Sequence, residues 1–306
     1  MKQQIRLSDH FTYRKLLRFV LPSIIMMIFT SIYGVVDGLF VSNFAGKTAF
    51  AAINLVMPFI MVLGGIGFMI GTGGTALVSK TFGEGQQEEA NRYFSMMILF
   101  TALLGVLLAV FGVVCMRPVA QFLGATPEML DDCVRYGRIV IAFTGAFMLQ
   151  NVFQSFLIAA EKPKLGLAAT VAAGVTNMAL DALFVAGFRW GIAGAAIATT
   201  IGNILASLYF VWYFLKRSGQ LSILPKDFTL GENIPQRVCT TGFPTAIFSV
   251  LMSVSTIVVN QILVKYGNAP VAAIGIVFKA NMFITFLQMG LANGVQPLLG
   301  YSYGAG

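Results

Sequence analysis

The stretch Lys164-Leu165-Gly166-Leu167-Ala168-Ala169-Thr170-Val171-Ala172-Ala173-Gly174-Val175-Thr176-Asn177-Met178-Ala179-Leu180-Asp181-Ala182-Leu183-Phe184-Val185-Ala186-Gly187-Phe188 decides the fold. Its run of apolar and small residues is long enough to cross a bilayer as a helix, which takes about 20 residues. Asn177 and Asp181 interrupt it one helical turn apart and therefore share a face. A carboxylate inside a spanning segment costs at least ~2.5–3.5 kcal/mol on insertion scales, so it needs a compensating environment. Two readings meet that need: a buried acid hydrogen-bonded to hold helices together, or an ion or proton site.

The whole chain resembles this stretch. Of 306 residues, 57% are hydrophobic and 10% charged, where soluble domains carry about 25% charged residues. That composition predicts an all-α polytopic membrane protein. The net charge of +8 reads as a topology signal, since the basic residues gather at helix ends and in loops, and not as a nucleic-acid footprint. Cys115, Cys133 and Cys239 show neither metal spacing nor a paired pattern.

Apolar stretches of spanning length fall at 16–41, 50–79, 94–116, 137–159, 165–188, 191–215, 240–264 and 271–301, which predicts eight helices. The second and eighth exceed a span and contain Pro58 and Pro297, so bends or tilt are expected. The polar, basic start of the chain lacks a cleavage pattern, so the first span reads as retained. With the N-terminus inside, thirteen Lys and Arg face the cytoplasm and six the other side. Lys279 is left within the eighth helix, where snorkelling is weighed against a place on a transport pathway.

Ten of the twelve acids read as tail or loop residues, which leaves Asp37 and Asp181 inside helices. In the assigned topology Asp181 lies eight residues before Arg189 and Thr199 eight residues after Gly191. Both sit ~12 Å from the same end at 1.5 Å per residue. Asn151, in the fourth helix, lies somewhat deeper. Several oxygen-bearing side chains thus reach compatible depths in the outer half.

A repeat organises these helices. Shifted by 221, Gly46–Gly85 lies over Gly267–Gly306 without a gap, with ten of forty positions identical, Gly73/Gly294 and Gly83/Gly304 among them. Pro22 and Pro244 mark the first helix of each copy. Six helices per unit return the chain to its starting side, so the copies are parallel repeats about an axis along the membrane normal. The division is an N-terminal six-helix lobe at 1–215, a cytoplasmic inter-lobe linker at 216–237, and the first two helices of a C-terminal lobe at 238–306. A second copy of equal length would require about four further helices, so the chain reads as a C-terminally truncated pair of lobes.

Several motifs lose their chemistry on inspection. Gly46-Lys47-Thr48 mimics the end of a phosphate-binding loop, but Val41 stands where a glycine is required. Gly65-Ile66-Gly67 lacks the third glycine of a dinucleotide fingerprint. The single histidine, His10, lies in the tail, so no His-based triad or multi-His metal site can form in the bilayer. An acid/base dyad of Asp37 and Asp181, as in an intramembrane aspartyl hydrolase, remains an alternative.

Leu21-Pro22, Val35-Val36-Asp37-Gly38, Ala51-Ala52-Ile53-Asn54-Leu55, Gly73–Gly85 with its Gly-Glu-Gly end, Glu161-Lys162-Pro163 and the Asn177/Asp181 pair together resemble the multidrug and toxic compound extrusion (MATE) family of bacterial efflux transporters. The resemblance covers nearly the whole chain. It implies twelve helices in two six-helix lobes. It also implies a non-enzymatic antiporter that exports lipophilic, often cationic drugs and xenobiotics across the cytoplasmic (inner) membrane. Inward H+ or Na+ flow would drive export, with no cofactor and no obligatory protein or nucleic-acid partner. The family's first-lobe cation site looks like Asp37, Asn151, Asn177, Asp181 and Thr199, and its helix-bending proline looks like Pro22. Some members carry a coupling glutamate in helix seven, whereas Thr241 to Val264 contains no acid, which points to coupling through the first lobe. A lipid-linked precursor flippase of the same superfamily is the alternative, disfavoured by a single intramembrane lysine. The buried acids disfavour a channel or a scaffold.

Overall fold

The computed structural model describes residues 5–216, 221–223, 233–264 and 268–306. Among them the chain is helical: α1 (Tyr13–Phe40), α2 (Lys47–Gly83), α3 (Gln87–Phe122), α4 (Pro127–Ala142), α5 (Thr144–Ala159), α6 (Pro163–Asp181), α7 (Gly191–Leu215), α8 (Ile234–Val264) and α9 (Asn268–Ala305). Helices α1 and α6 continue into π-helical turns at Val41–Ala45 and Ala182–Gly187. Six of these segments are long and apolar enough to cross a membrane, and α4 with α5 makes a seventh, broken span. The 38-residue α9, with Lys279 as its one charged residue, adds an eighth. Lys279 lies on α9, but its side chain falls outside the described residues.

Three sequence expectations need correction. The fourth span does not start at 137: α4 begins at Pro127 and breaks from α5 by 53° around Phe143. Proline at the first helical position and Glu128 in the first turn are favourable at a helix N-terminus, so the helix runs on past the apolar stretch. The ten acids read as tail or loop residues are not all there, since Glu88 and Glu89 lie in the first turn of α3 and Glu128, Asp131 and Asp132 in α4. Finally, α8 already starts at Ile234, inside the range read as linker. Most of that linker lies outside the described residues. Its Leu221 and Ile223 are buried against the first lobe, where the Ser222 backbone N–H donates to Asn91 Oδ1 at 2.9 Å.

The repeat reappears in the helices. Both α1 and α8, and α2 and α9, start 221 residues apart. Equivalent residues also meet: a Cβ on Gly83 would overlap the Tyr301 carbonyl, and one on Gly304 the Lys80 carbonyl. Lys80 and Tyr301 are themselves 221 apart. The same relation links Gly73 of α2, seated on Val238 and Gly242 of α8, with Gly294 of α9, seated on Val20 of α1. At Gly73, Gly83 and Gly304 the absent side chain lets helix backbones touch, and at Gly294 it admits the Val20 side chain, the usual basis of close packing in a membrane. The result is a seam in which α2 and α9 face each other across a pseudo-twofold axis, with α8 and α1 flanking them.

Within the first lobe the core is side-chain packing of another kind. Phe94, Phe153, Phe156, Phe210 and Phe214 are buried together, with Phe94 ring-to-ring at 4.7 Å from Phe156 and 4.8 Å from Phe214. Tilted aromatic pairs at such distances add to the gain from burial alone. This cluster lies toward the end of the lobe that carries the N-terminus and holds α3, α5 and α7 in fixed register. Asp37 and Asp181 lie toward the opposite end.

Candidate functional site

Asp37 comes from α1 and Asp181 from the last α-helical turn of α6. Packing of α1 on α6 is close because Gly174 admits the ring of Phe29, with Tyr33 beside it. That contact sets the two carboxyl groups side by side, close enough to act on each other. Asp181 is fully buried, and neither of its oxygens receives a hydrogen bond from any other described group; Oδ1 of Asp37 is likewise unpartnered. Two adjoining carboxyl groups cannot both stay charged at low cost, and a proton or a cation between them would relieve that cost.

Both acids stand at the entry to a π-helical turn. The Val41 N–H returns to the carbonyls of Asp37 and Gly38, and the turn closes with Gly46 N–H on the Val41 carbonyl. After Asp181, Phe188 N–H reaches the Leu183 carbonyl in the same five-residue manner. Such widened turns concentrate at functional sites because they loosen the backbone ladder beside a working side chain. Gly191, at φ +59°, then turns the chain into α7. Gly194 lets α7 close onto the backbone of Phe184.

That tight return brings Thr199 opposite Asn177. Asn177 Nδ2 donates to Thr199 Oγ1 at 3.4 Å, one helical turn from Asp181, and Asn177 Oδ1 is buried without a partner among the described residues. Of the five residues singled out from sequence, Asp37, Asp181, Asn177 and Thr199 therefore form one group. Asn151 is buried on α5, with its carbonyl against Gly71 of α2. Its neighbour Gln150 is the residue that joins Asn177, Thr199, Tyr33, Thr170 and Asn203 around a narrow cleft beneath the acids. Beside Gln150, Gln154 Nε2 donates to Thr170 Oγ1 at 2.9 Å. Pro22 sits within an unbroken α1.

Sequence reasoning missed Tyr136. It is buried on α4, close enough to both carboxylates to feel their charge. Its only sequence signal was a tyrosine in a segment whose start was misplaced. No group of three or more His, Cys, Asp or Glu able to hold a metal ion occurs among the described residues.

Comparison with known proteins agrees with this architecture. The MatE family model matches residues 22–183 and 244–306, well over half of the chain. The multidrug export protein MepA of Staphylococcus saprophyticus is 28% identical over 291 residues, and that of Staphylococcus haemolyticus 29%. Each alignment covers 95% of this chain and 64% of the relative, so the chain spans about two-thirds of those proteins' length or slightly less. A multidrug resistance MATE family transporter solved in an outward-facing conformation superposes with a TM-score of 0.87 at 23% identity, covering 95% of this chain and 64% of that one. A Pyrococcus furiosus transporter of the MOP superfamily gives 0.88 at the same identity and coverage. From the paired acids, the 221-residue repeat and the family match together, this multi-pass membrane chain belongs to the MatE family.

Proposed function

We propose that the protein is a cation-coupled antiporter that exports lipophilic, often cationic compounds across the cytoplasmic membrane, with its N-terminus inside. The observation that carries this reading is the Asp37–Asp181 pair in the first lobe: Asp181 fully buried, Asp37 half-buried, and Asp37 Oδ1 and both oxygens of Asp181 without a hydrogen-bond donor among the described residues. A proton satisfies such a pair by bridging it. Sodium satisfies it equally, since hard cations take oxygen ligands and Asn177 and Thr199 supply neutral ones. Asn151 is assigned a supporting place in the same helix layer, and Pro22 the bend through which α1 responds to the state of Asp37. The coupling ion is H+ or Na+, and no other cofactor enters the cycle. The MepA relatives, named as multidrug export proteins, support the substrate class.

Coupling acts only through the difference in ion affinity between the two lobe arrangements. The test is efflux of a fluorescent lipophilic cation from proteoliposomes under imposed Na+ or pH gradients. Asp37→Asn and Asp181→Asn are expected to abolish gradient-driven export with insertion intact. Thr199→Ala is expected to weaken it several-fold, about the worth of one hydrogen bond. If both asparagine variants keep full efflux and its response to a collapsed gradient, the site is misassigned.

A further inference from the structure

Between the lobes, in the half of the bundle nearer the N-terminus, a polar node crosses the seam. Gln296 Nε2 of α9 donates to the Thr72 carbonyl of α2 at 2.8 Å, and Thr72 Oγ1 lies 3.2 Å from Thr245 Oγ1 of α8. Thr72 thereby ties both helices of the second repeat to one turn of α2. Toward the N-terminal end of the bundle the same face of α2 continues with Thr75 and Ser79, three and seven residues on. Both are buried, as is Ser23 on α1, on the same side of the seam, and none of the three hydroxyls has a hydrogen-bond partner among the described residues. Ser79 packs on Gly300 of α9, and Gly290 of α9 packs on the Ser23 carbonyl.

Unpartnered hydroxyls are out of place in a permanent core, where alanine would fill the same space without losing a hydrogen bond to water. They fit a surface that is wet in a second arrangement of the helices. The glycine contacts have the same character, since flat backbone surfaces part without extracting interlocked side chains. We propose that Ser23, Thr75 and Ser79 line an inward-opening aqueous vestibule, closed here, and that Gln296 is the positioning residue that holds it shut through Thr72. This rests on the exporter reading, which requires two lobe arrangements.

The experiment follows the labelling rate of Ser79→Cys and Thr75→Cys, with Cys115, Cys133 and Cys239 replaced, by a cationic, membrane-impermeant thiosulfonate applied from the cytoplasmic side. With Gln296 intact the rate is expected to be low. Gln296→Met keeps the length of the side chain but removes its donor, and is expected to raise the rate about 5-fold, the shift that loss of one hydrogen bond from one of two states produces. Thr245→Val should raise it less, and it provides the reading if Gln296→Met fails to fold. Unchanged rates in the variants, or rapid labelling with Gln296 intact, would overturn the proposal. The assay uses neither drug nor ion gradient. A failed acid site would therefore leave its result standing, and an unmoved labelling rate would leave the acid site standing.

Discussion

The interior of the first lobe and the seam between α1–α2 and α8–α9 are both helix–helix contacts, yet they are made of different material. Inside the lobe, phenylalanine rings interlock and fix α3, α5 and α7. Along the seam, glycines bring backbone against backbone at Gly73, Gly83, Gly242, Gly290 and Gly304. Interlocked side chains hold a site to a fixed geometry, as Asp37, Asp181, Asn177 and Thr199 require. Smooth backbone contacts, joined by a few polar ties, can separate and re-form. On the proposed function, the difference makes the lobe with the acids the rigid part and the seam the part that moves.

The most severe way to break this comparison is to give the seam a side chain. Gly83→Val or Gly304→Val would drive a Cβ into the Tyr301 or Lys80 carbonyl, and only displacement of the helices can relieve that overlap. Export is expected to be lost, with spin labels at Glu84 and Tyr303 moving apart. The ion binding proposed for the first lobe should survive. Wild-type label distances in both variants would show that the seam has slack the packing does not reveal.

The complementary change empties the lobe. Phe153→Ala removes a fully buried ring that contacts Phe94, Phe210 and Phe214, and such truncations cost about 3–5 kcal/mol. A marked fall in thermal unfolding temperature is expected, with the Ser79→Cys labelling rate unchanged. If labelling rises as much as stability falls, the lobe is not the rigid partner.

How far the sequence foretells these two regions follows from what each is made of. Spans and repeat are legible because apolar run length and the recurrence of Gly73 and Gly83 at 294 and 304 are one-dimensional signals. The acids stand out because charge in a span is rare. Their mutual contact depends on Gly174 admitting Phe29, a fact about two helices at once. The break at Phe143 was hidden because no proline marks it. There Gly145 meets Gly105 of α3, a contact that only the fold reveals. Gln150 and Asn151 are both polar and adjacent, and only the rotation of α5 decides which one faces the cleft. The π-helical turns after both acids leave no composition signature at all.

The smallest effect belongs to the N-terminal segment, which reaches the lobe by two unlike contacts. Leu7 is buried among Phe19, Val20 and Ile158, and its N–H donates to Glu161 Oε1 at 2.6 Å. Asp9 instead accepts the Arg6 N–H at 3.0 Å and pairs with Lys15 at 2.9 Å in the open. That Arg6 hydrogen bond, and after it the Lys15 ammonium, hold the Asp9 carboxyl below its ordinary value of 3.8. A carboxylate with a lowered folded pKa contributes fully above its unfolded pKa and loses the contribution as pH falls through the folded one. The contribution is therefore flat across neutral pH and fades only below about pH 4. Exposed pairs are screened and add little, so Asp9→Asn is expected to leave thermal stability and its salt dependence unchanged at pH 7. Thermal scans at pH 7 and pH 3.5 check this. A clear loss at pH 7 would mean that the segment is anchored by Asp9 rather than by Leu7 and Glu161.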